Sequence, residues 1–486
     1  MRSANESWTY LLPGSLRELL HGRLQLQKIL SNIAWLSVDK LMRLGVGAVV
    51  GVWIARYLGP DRFGLLNYTT AFVALFSPLA SLGVESILVR DVLVEDDASR
   101  NVSMGTAFAM RGTGSLLAAI LSCALILVLR PGDPLTIAMI AIAGGGLMCQ
   151  SFDVIDLWFH SQVKAKWGVY PRNAAFLLMT AVRVVLLVRQ APLIAFAWAA
   201  TGELALSAAG LIAMYAYRGG HLQRWHANFR RAISFLKDSW PLAFANLAVI
   251  LYMRIGQVML GNIMNNTEVG IYSVAVRLAE MWYFIPMSIA SSVFPAVIKA
   301  RREDTILYQR RLEMFYGMMS MIALSVAVTT FLFTDFIIRV LFGSKYAGAG
   351  SVLSVYVWAS IPVFLNIAST QYLIAENKTT VALLRTLAGS VANVALNIVL
   401  IPRYGGVGAA WASLISYAVT TIFIVAVPGL RGQAAMMLRS LNPWSVFQLF
   451  RNRTPRTAPR PGTRFLNTVH RTRQFSTSDY RCFIFF

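Results

Sequence analysis

Twelve long apolar runs, separated by short polar stretches, constrain this 486-residue chain more than any other feature. Their approximate cores are 32–55, 64–88, 104–129, 135–158, 173–188, 192–216, 240–262, 269–296, 314–338, 350–373, 380–401 and 406–427. About 20 apolar residues in a helix cross a bilayer, and most of these runs are longer. In hydrocarbon every backbone amide and carbonyl must find a partner within the protein, so such runs are expected as helices. The expected fold is an all-α polytopic membrane protein with about twelve transmembrane helices. Composition agrees. Only 14% of residues are charged and 57% are hydrophobic, whereas soluble proteins carry roughly 25% charge. No segment between runs is long enough to fold as a separate catalytic domain.

The net charge of +22 has the size expected of a nucleic-acid binder, but its placement excludes that role. Residues 428–486 hold ten basic residues and one acid, without aromatic interleaving. Much of the remainder follows the rule that cytoplasmic loops concentrate Lys and Arg. With the N-terminus inside, the inside segments carry 30 basic residues and the outside loops carry 7. An even number of spans then places both termini in the cytoplasm, with the chain expected in a bacterial inner membrane. The expected organisation has five parts. They are an amphipathic cytoplasmic segment 1–29, a six-helix lobe 30–216, a connector 217–239, a second six-helix lobe 240–427, and a basic, disordered tail 428–486. Cys123, Cys149 and Cys482 form neither a disulfide framework nor a metal motif, and no cofactor is expected.

The two halves repeat. Residues 57–72, YLGPDRFGLLNYTTAF, precede the second run, and residues 263–278, IMNNTEVGIYSVAVRL, precede the eighth. Gly64 matches Gly270 at an offset of 206 residues. Six spans per half give both halves one orientation, the parallel-repeat plan of many transporters. Two six-helix lobes around a central cavity are therefore expected.

At these residues the chain resembles bacterial oligosaccharide flippases of the Wzx type, in the multidrug/oligosaccharidyl-lipid/polysaccharide exporter superfamily. The similar stretches are Ala55 to Pro60 with Phe63–Gly64, and Val269 to Ala275 with Arg277 and Glu280. Leu341–Phe342–Gly343 with Tyr346, and Pro402 to Ser413, are also similar. Asp156 to Phe159 fits the fourth span, although His160–Ser161 replaces a Gln and a small residue there. The likeness covers roughly residues 28–427; the tail after about Phe450 matches nothing in it. It implies that undecaprenyl-diphosphate-linked oligosaccharide is moved across the cytoplasmic membrane for O-antigen, capsule or exopolysaccharide assembly. Membrane lipids and other polysaccharide-assembly membrane proteins are the implied partners.

Such a substrate needs cations at membrane depth, where charges are costly and face a cavity or a partner. Seven basic residues fall within runs: Lys40, Arg43, Arg111, Arg183, Arg254, Arg277 and Arg385. Arginine suits phosphate because its planar fork donates two hydrogen bonds at once. Lys40 and Arg43, three apart on one helix face, and Arg254 and Arg277 in the second half are the expected substrate-binding residues. Internal ion pairing is the competing reading. Asp39, Glu203 and Glu280 are the candidate charge partners, or carriers of a coupling proton or sodium ion. Arg111, Arg183 and Arg385 lie nearer span ends and are expected to snorkel. Glu85, Asp153 and Asp156 are expected at solvated interfaces, and aromatics such as Trp35, Tyr68, Tyr252, Tyr272, Trp282, Tyr283 and Tyr372 chiefly as interfacial anchors. Two competing functions remain. A cation-coupled multidrug or small-solute exporter would favour embedded acids over the base-rich set here. A membrane-embedded glycosyltransferase, ligase or polymerase would need a polar catalytic loop that is not visible.

Overall fold

A computed structural model of the protein describes residues 24–303, 305–442 and 444. Most of the N-terminal segment 1–29, and the tail from residue 445, lie outside the described residues. Among the described residues the secondary structure is helical throughout, without a strand. Ten helical stretches there are long and apolar enough to cross a membrane. Two of the ten contain a backbone break, so the expected number of about twelve spans is consistent with them.

The first break is in α1 (Leu24–Ala74), where Gly59 takes φ 70° and ψ 172° immediately before Pro60. A positive φ is cheap only for glycine, and proline supplies no amide to continue the ladder. The second break is in α16 (Thr379–Ile422), where Gly405 takes φ 54° and ψ −131°. The helix restarts under a cap from α10 (Asn266–Glu280): the Gly406 amide donates to the Glu268 carboxylate at 2.9 Å. Asn265 in turn accepts from the Glu268 amide at 2.9 Å and starts α10. The motif from Pro402 to Ser413 is therefore a built helix break. Glu268→Ala should cost about 1–2 kcal/mol through the lost cap. Thermal unfolding of the purified variant checks this.

The chain divides into two compact units. The first contains the described residues up to Gly59 and Thr69–Leu247; the second contains Pro60–Tyr68 and the described residues from Ala248 onward. In the first unit two short helices, α2 (Ser77–Ser81) and α3 (Glu85–Val94), follow α1. The long helices α4 (Asp97–Leu129) and α5 (Pro134–Cys149) come next, then α6 (Asp153–Ser161), α7 (Lys166–Val188) and α8 (Leu193–Tyr217). Asp96 caps α4 by accepting from the Ser99 amide, and its bond to Ser99 holds its carboxyl below the ordinary range. On α4 the small residues Gly114, Ser115, Ala118 and Ser122 are buried, while Leu117, Leu121 and Val128 are exposed. This is packing for a lipid solvent. Exposed leucine costs nothing there, and small residues let helices approach.

The expected connector 217–239 is shorter than its reading. After a turn at Leu222–Arg224, α9 (Phe229–Ile263) begins and runs on without interruption. Its first turns pack within the first unit, where Phe235 joins Val84, Leu88, Met104 and Val154 in one core.

The second unit holds the rest of α9 and α10, then α11 (Phe284–Glu303), α12 (Thr305–Leu332), α13 (Thr334–Leu341), α14 (Ala349–Tyr356), α15 (Ser360–Ala375) and α16. Part of the expected tail is ordered, which corrects the reading of 428–486 as disordered from its start. Residues Arg431–Ser440 form helix α17. Gln433, Ala434, Met437 and Ser440 fall on one face and are buried. The physical reason is this short amphipathic stretch, which precedes the densely basic sequence.

The repeat has a structural counterpart inside the second unit. A Cβ on Gly64 would lie 2.8 Å from the Gly270 amide nitrogen and closer still to the Asn266 carbonyl. A Cβ on Gly270 would lie 2.8 Å from the Pro60 carbonyl carbon and closer still to its oxygen. Asn266 follows Pro60 by the same 206 residues that separate the glycines. Each repeat thus presses its glycine against the other's helix start.

Candidate functional site

Each unit places embedded charges of its own. In the first, Arg43 on α1 lies one turn beyond Asp39, and its Nε donates to the Asp39 carboxylate at 2.8 Å. Its other nitrogen reaches Glu203 on α8 at 3.4 Å, and its guanidinium lies 4.9 Å from the Phe176 ring centre. Arg183 on α7 holds the other Glu203 oxygen at 2.8 Å. Two acids and two arginines therefore interlock, with the Arg43 side chain still 30% exposed. Lys40 stands beside them, exposed. Glu203 thus holds two partly exposed arginines from different helices. Arg183 does not snorkel; a carboxylate from the next helix holds it inside.

A second network lies in the same unit. Arg111 is 4% exposed and donates to Glu85 at 3.2 Å and to the Gln150 carbonyl at 3.2 Å. Arg172 bridges Asp153 at 2.9 Å and Asp156 at 3.0 Å, and His160 approaches Asp156 at 3.4 Å. Gly168 leaves room for the Asp156 carboxylate, whose Cγ would lie 3.0 Å from a Cβ there. Snorkelling is thus overturned for Arg111 as well, and Asp156 is buried rather than solvated. An internal carboxylate partner is cheaper than pulling either charge across a packed interior.

In the second unit Arg254 on α9 approaches Glu280 on α10 at 3.6 Å, with the arginine side chain 32% exposed. The other Glu280 oxygen, Oε1, is buried without a hydrogen bond. Tyr252, Tyr272, Tyr283, Tyr356 and Tyr417 surround this pair; the Tyr272 hydroxyl meets Ser413 at 3.2 Å, and the Tyr252 and Tyr417 rings stand 4.6 Å apart. Tyr272 and Tyr283 are buried, so neither is an interfacial anchor. Tyr68 is buried too and donates to Asn262 at 2.9 Å. Arg277 lies one turn from Glu280 and 5.7 Å from the Phe63 ring centre. The structure thus joins Asp39, Arg43 and Glu203 in one unit and Arg254 and Glu280 in the other.

Chemically, each cluster offers a half-exposed guanidinium neutralised by a carboxylate. A diphosphate can take the place of that carboxylate, because an arginine fork binds both groups in the same geometry. The sequence of the family described as "Polysaccharide biosynthesis protein" matches residues 53–351. The chain belongs to this family. A similar protein is "Probable flippase AglR" of Haloferax volcanii, 23% identical over 399 residues, covering 78% of this chain and 79% of that protein. Among solved structures the chain resembles "Lipid II flippase MurJ, inward closed conformation", at TM-score 0.62 and 15% identity, covering 87% of this chain and 93% of that one. It equally resembles a multidrug resistance MATE family transporter of the MOP superfamily in an inward-facing conformation. That match has TM-score 0.62 and 14% identity, covering 87% of this chain and all of the other. This polysaccharide biosynthesis protein is a multi-pass membrane protein with the two-lobed, all-α fold of membrane transporters.

Sequence reading missed two features of this family member. Arg172 lies between two apolar runs and carries no signal of its own, although Asp153 and Asp156, three residues apart, call for a cation opposite one helix face. Arg385 was placed near a span end, yet it is 2% exposed.

Proposed function

We infer that the protein is a flippase that moves lipid-linked oligosaccharide across the membrane by alternating access. Membership of the polysaccharide biosynthesis family supports this reading, and one observation carries it. Half-exposed arginines at membrane depth, Arg43 and Arg254, are held by carboxylates rather than sealed away from ligands. The carrier proposed is undecaprenyl diphosphate, in a bacterial inner membrane with both termini in the cytoplasm. Within each unit by itself the diphosphate displaces the carboxylate, Glu203 from Arg43 in the first and Glu280 from Arg254 in the second, with Lys40 and Arg277 adding positive charge to their own clusters. The displaced acids, with Asp39, are the groups proposed to take up a coupling proton or sodium ion.

The test is a leaflet-resolved translocation assay in vesicles with a short-chain diphosphate-linked sugar. Wild-type protein should move the substrate under an ion gradient. Arg254→Glu should reduce the rate at least about tenfold, the loss of one charge-assisted bond of roughly 1.4 kcal/mol or more. Arg301→Glu, which breaks an exposed bridge to Glu376, should change it by less than about threefold. Equal tolerance at both positions removes Arg254 from the path.

A further inference from the structure

Arg385 is a buried cation that the transport reading leaves unused and that, unlike Arg111 and Arg172, has no carboxylate partner among the described residues. It projects from α16 and is buried, as are its neighbours Ser369, Tyr316 and Gln433. One terminal nitrogen donates to the Ser369 hydroxyl at 2.8 Å. The other donates to the Asn366 carbonyl at 3.2 Å and the Thr370 hydroxyl at 2.6 Å. Its Nε has no partner. No carboxylate among the described residues lies within ion-pair distance of it. A buried charge without a counter-ion is among the costliest arrangements a protein can hold.

The hydrogen-bond inventory gives the sign of what is missing. Gln433 of α17 donates to Tyr316 at 2.6 Å and to Ser369 at 2.9 Å, leaving its own Oε1 unpartnered. The Ser369 and Tyr316 oxygens therefore accept, and their O–H groups, like Nε, are left without an acceptor. Three donors then face one idle acceptor. Turning the Gln433 amide over, which ordinary coordinates cannot distinguish, lets both hydroxyls donate to Oε1. That choice frees the amide N–H groups instead and leaves no idle acceptor among the side chains of Arg385, Ser369, Tyr316 and Gln433. Either orientation gives one positive charge and a surplus of donors.

We propose that Arg385, Ser369, Tyr316 and Gln433 form a binding site for a small monovalent anion, of which chloride is the natural occupant. One anion cancels the single charge and accepts the surplus donors together. A diphosphate ester is excluded by its larger charge and by the closure of the site, since all four side chains are buried. Because Gln433 sits on α17, the anion also fastens this helix to α12, α15 and α16. The site is separate from the Arg254–Glu280 pair and does not depend on what the protein transports.

The experiment is thermal unfolding of the full-length protein in detergent, with chloride replaced stepwise by gluconate at constant ionic strength. The midpoint should fall by roughly 1–2 °C per tenfold loss of chloride above the dissociation constant and level off once chloride drops below it. Bromide should substitute and give an anomalous scattering peak beside Arg385. Arg385→Gln should abolish the chloride dependence. If that variant does not fold, Tyr316→Phe and Ser369→Ala, each removing one donor, should shift the titration to higher chloride. A flat wild-type titration, or an equal response in all variants, overturns the proposal. Neither result bears on the translocation assay.

Discussion

Gly64→Ala should destabilise the protein by about 3 kcal/mol or more, enough to abolish accumulation of folded protein in the membrane. The added methyl would meet the Asn266 carbonyl group and the Gly270 amide. These are backbone atoms at a helix start, so no side chain can swing away. Relief would require moving α10 away from α1, and α10 carries Glu268, the cap that restarts α16. Gly270→Ala should behave alike, because its methyl would strike the Pro60 carbonyl. By contrast Gly45→Ala, where nothing lies within contact distance, should be neutral or slightly stabilising through better helix propensity. Membrane yield and thermal midpoint of the three variants, compared side by side, check this ranking. Similar values for Gly64→Ala and Gly45→Ala would contradict the contact.

The second large effect is expected at Glu203. Its two oxygens hold Arg43 and Arg183 from different helices. Removing the carboxylate in Glu203→Ala leaves two partly buried guanidinium groups facing each other. Breaking a fully buried pair costs 3–5 kcal/mol; with these side chains still partly exposed, about 2 kcal/mol is the expected loss. Arg183→Met alone should also destabilise. The double variant Glu203→Met with Arg183→Met should recover part of the sum, since neither charge is then left without its partner. A coupling energy of about 1 kcal/mol or more in that cycle is expected. Strict additivity would mean that the bridge contributes nothing. The variants that lack Glu203 should lose transport beyond their loss of stability, because Arg43 would no longer be held by Asp39 and Glu203 together.

The fold was legible because lipid imposes a length rule that sequence obeys openly. Even the two helix breaks were visible, as Gly59–Pro60 and as Pro402 with Gly405 and Gly406. The charge partners were harder. Distance along a run gives depth, but it does not say which face of a helix a side chain occupies. Arg111, Arg183 and Arg385 therefore looked like snorkelling residues near span ends. In the structure each turns inward, to Glu85, to Glu203 and to a set of hydroxyls. Glu203 was recognisable in advance because a lone acid in an apolar run must be neutralised by something. α17 was not, since its amphipathic face spans only ten residues and a basic stretch beside it dominates the composition.

The reciprocal glycine contact constrains both halves of the chain at once. Shifting the numbering by one repeat turns each half of that contact into the other, so the interface is complementary to itself. A side chain gained on one glycine therefore meets the same obstacle as a side chain gained on the other, and neither can be relieved by a change at the first without a matching change at the second.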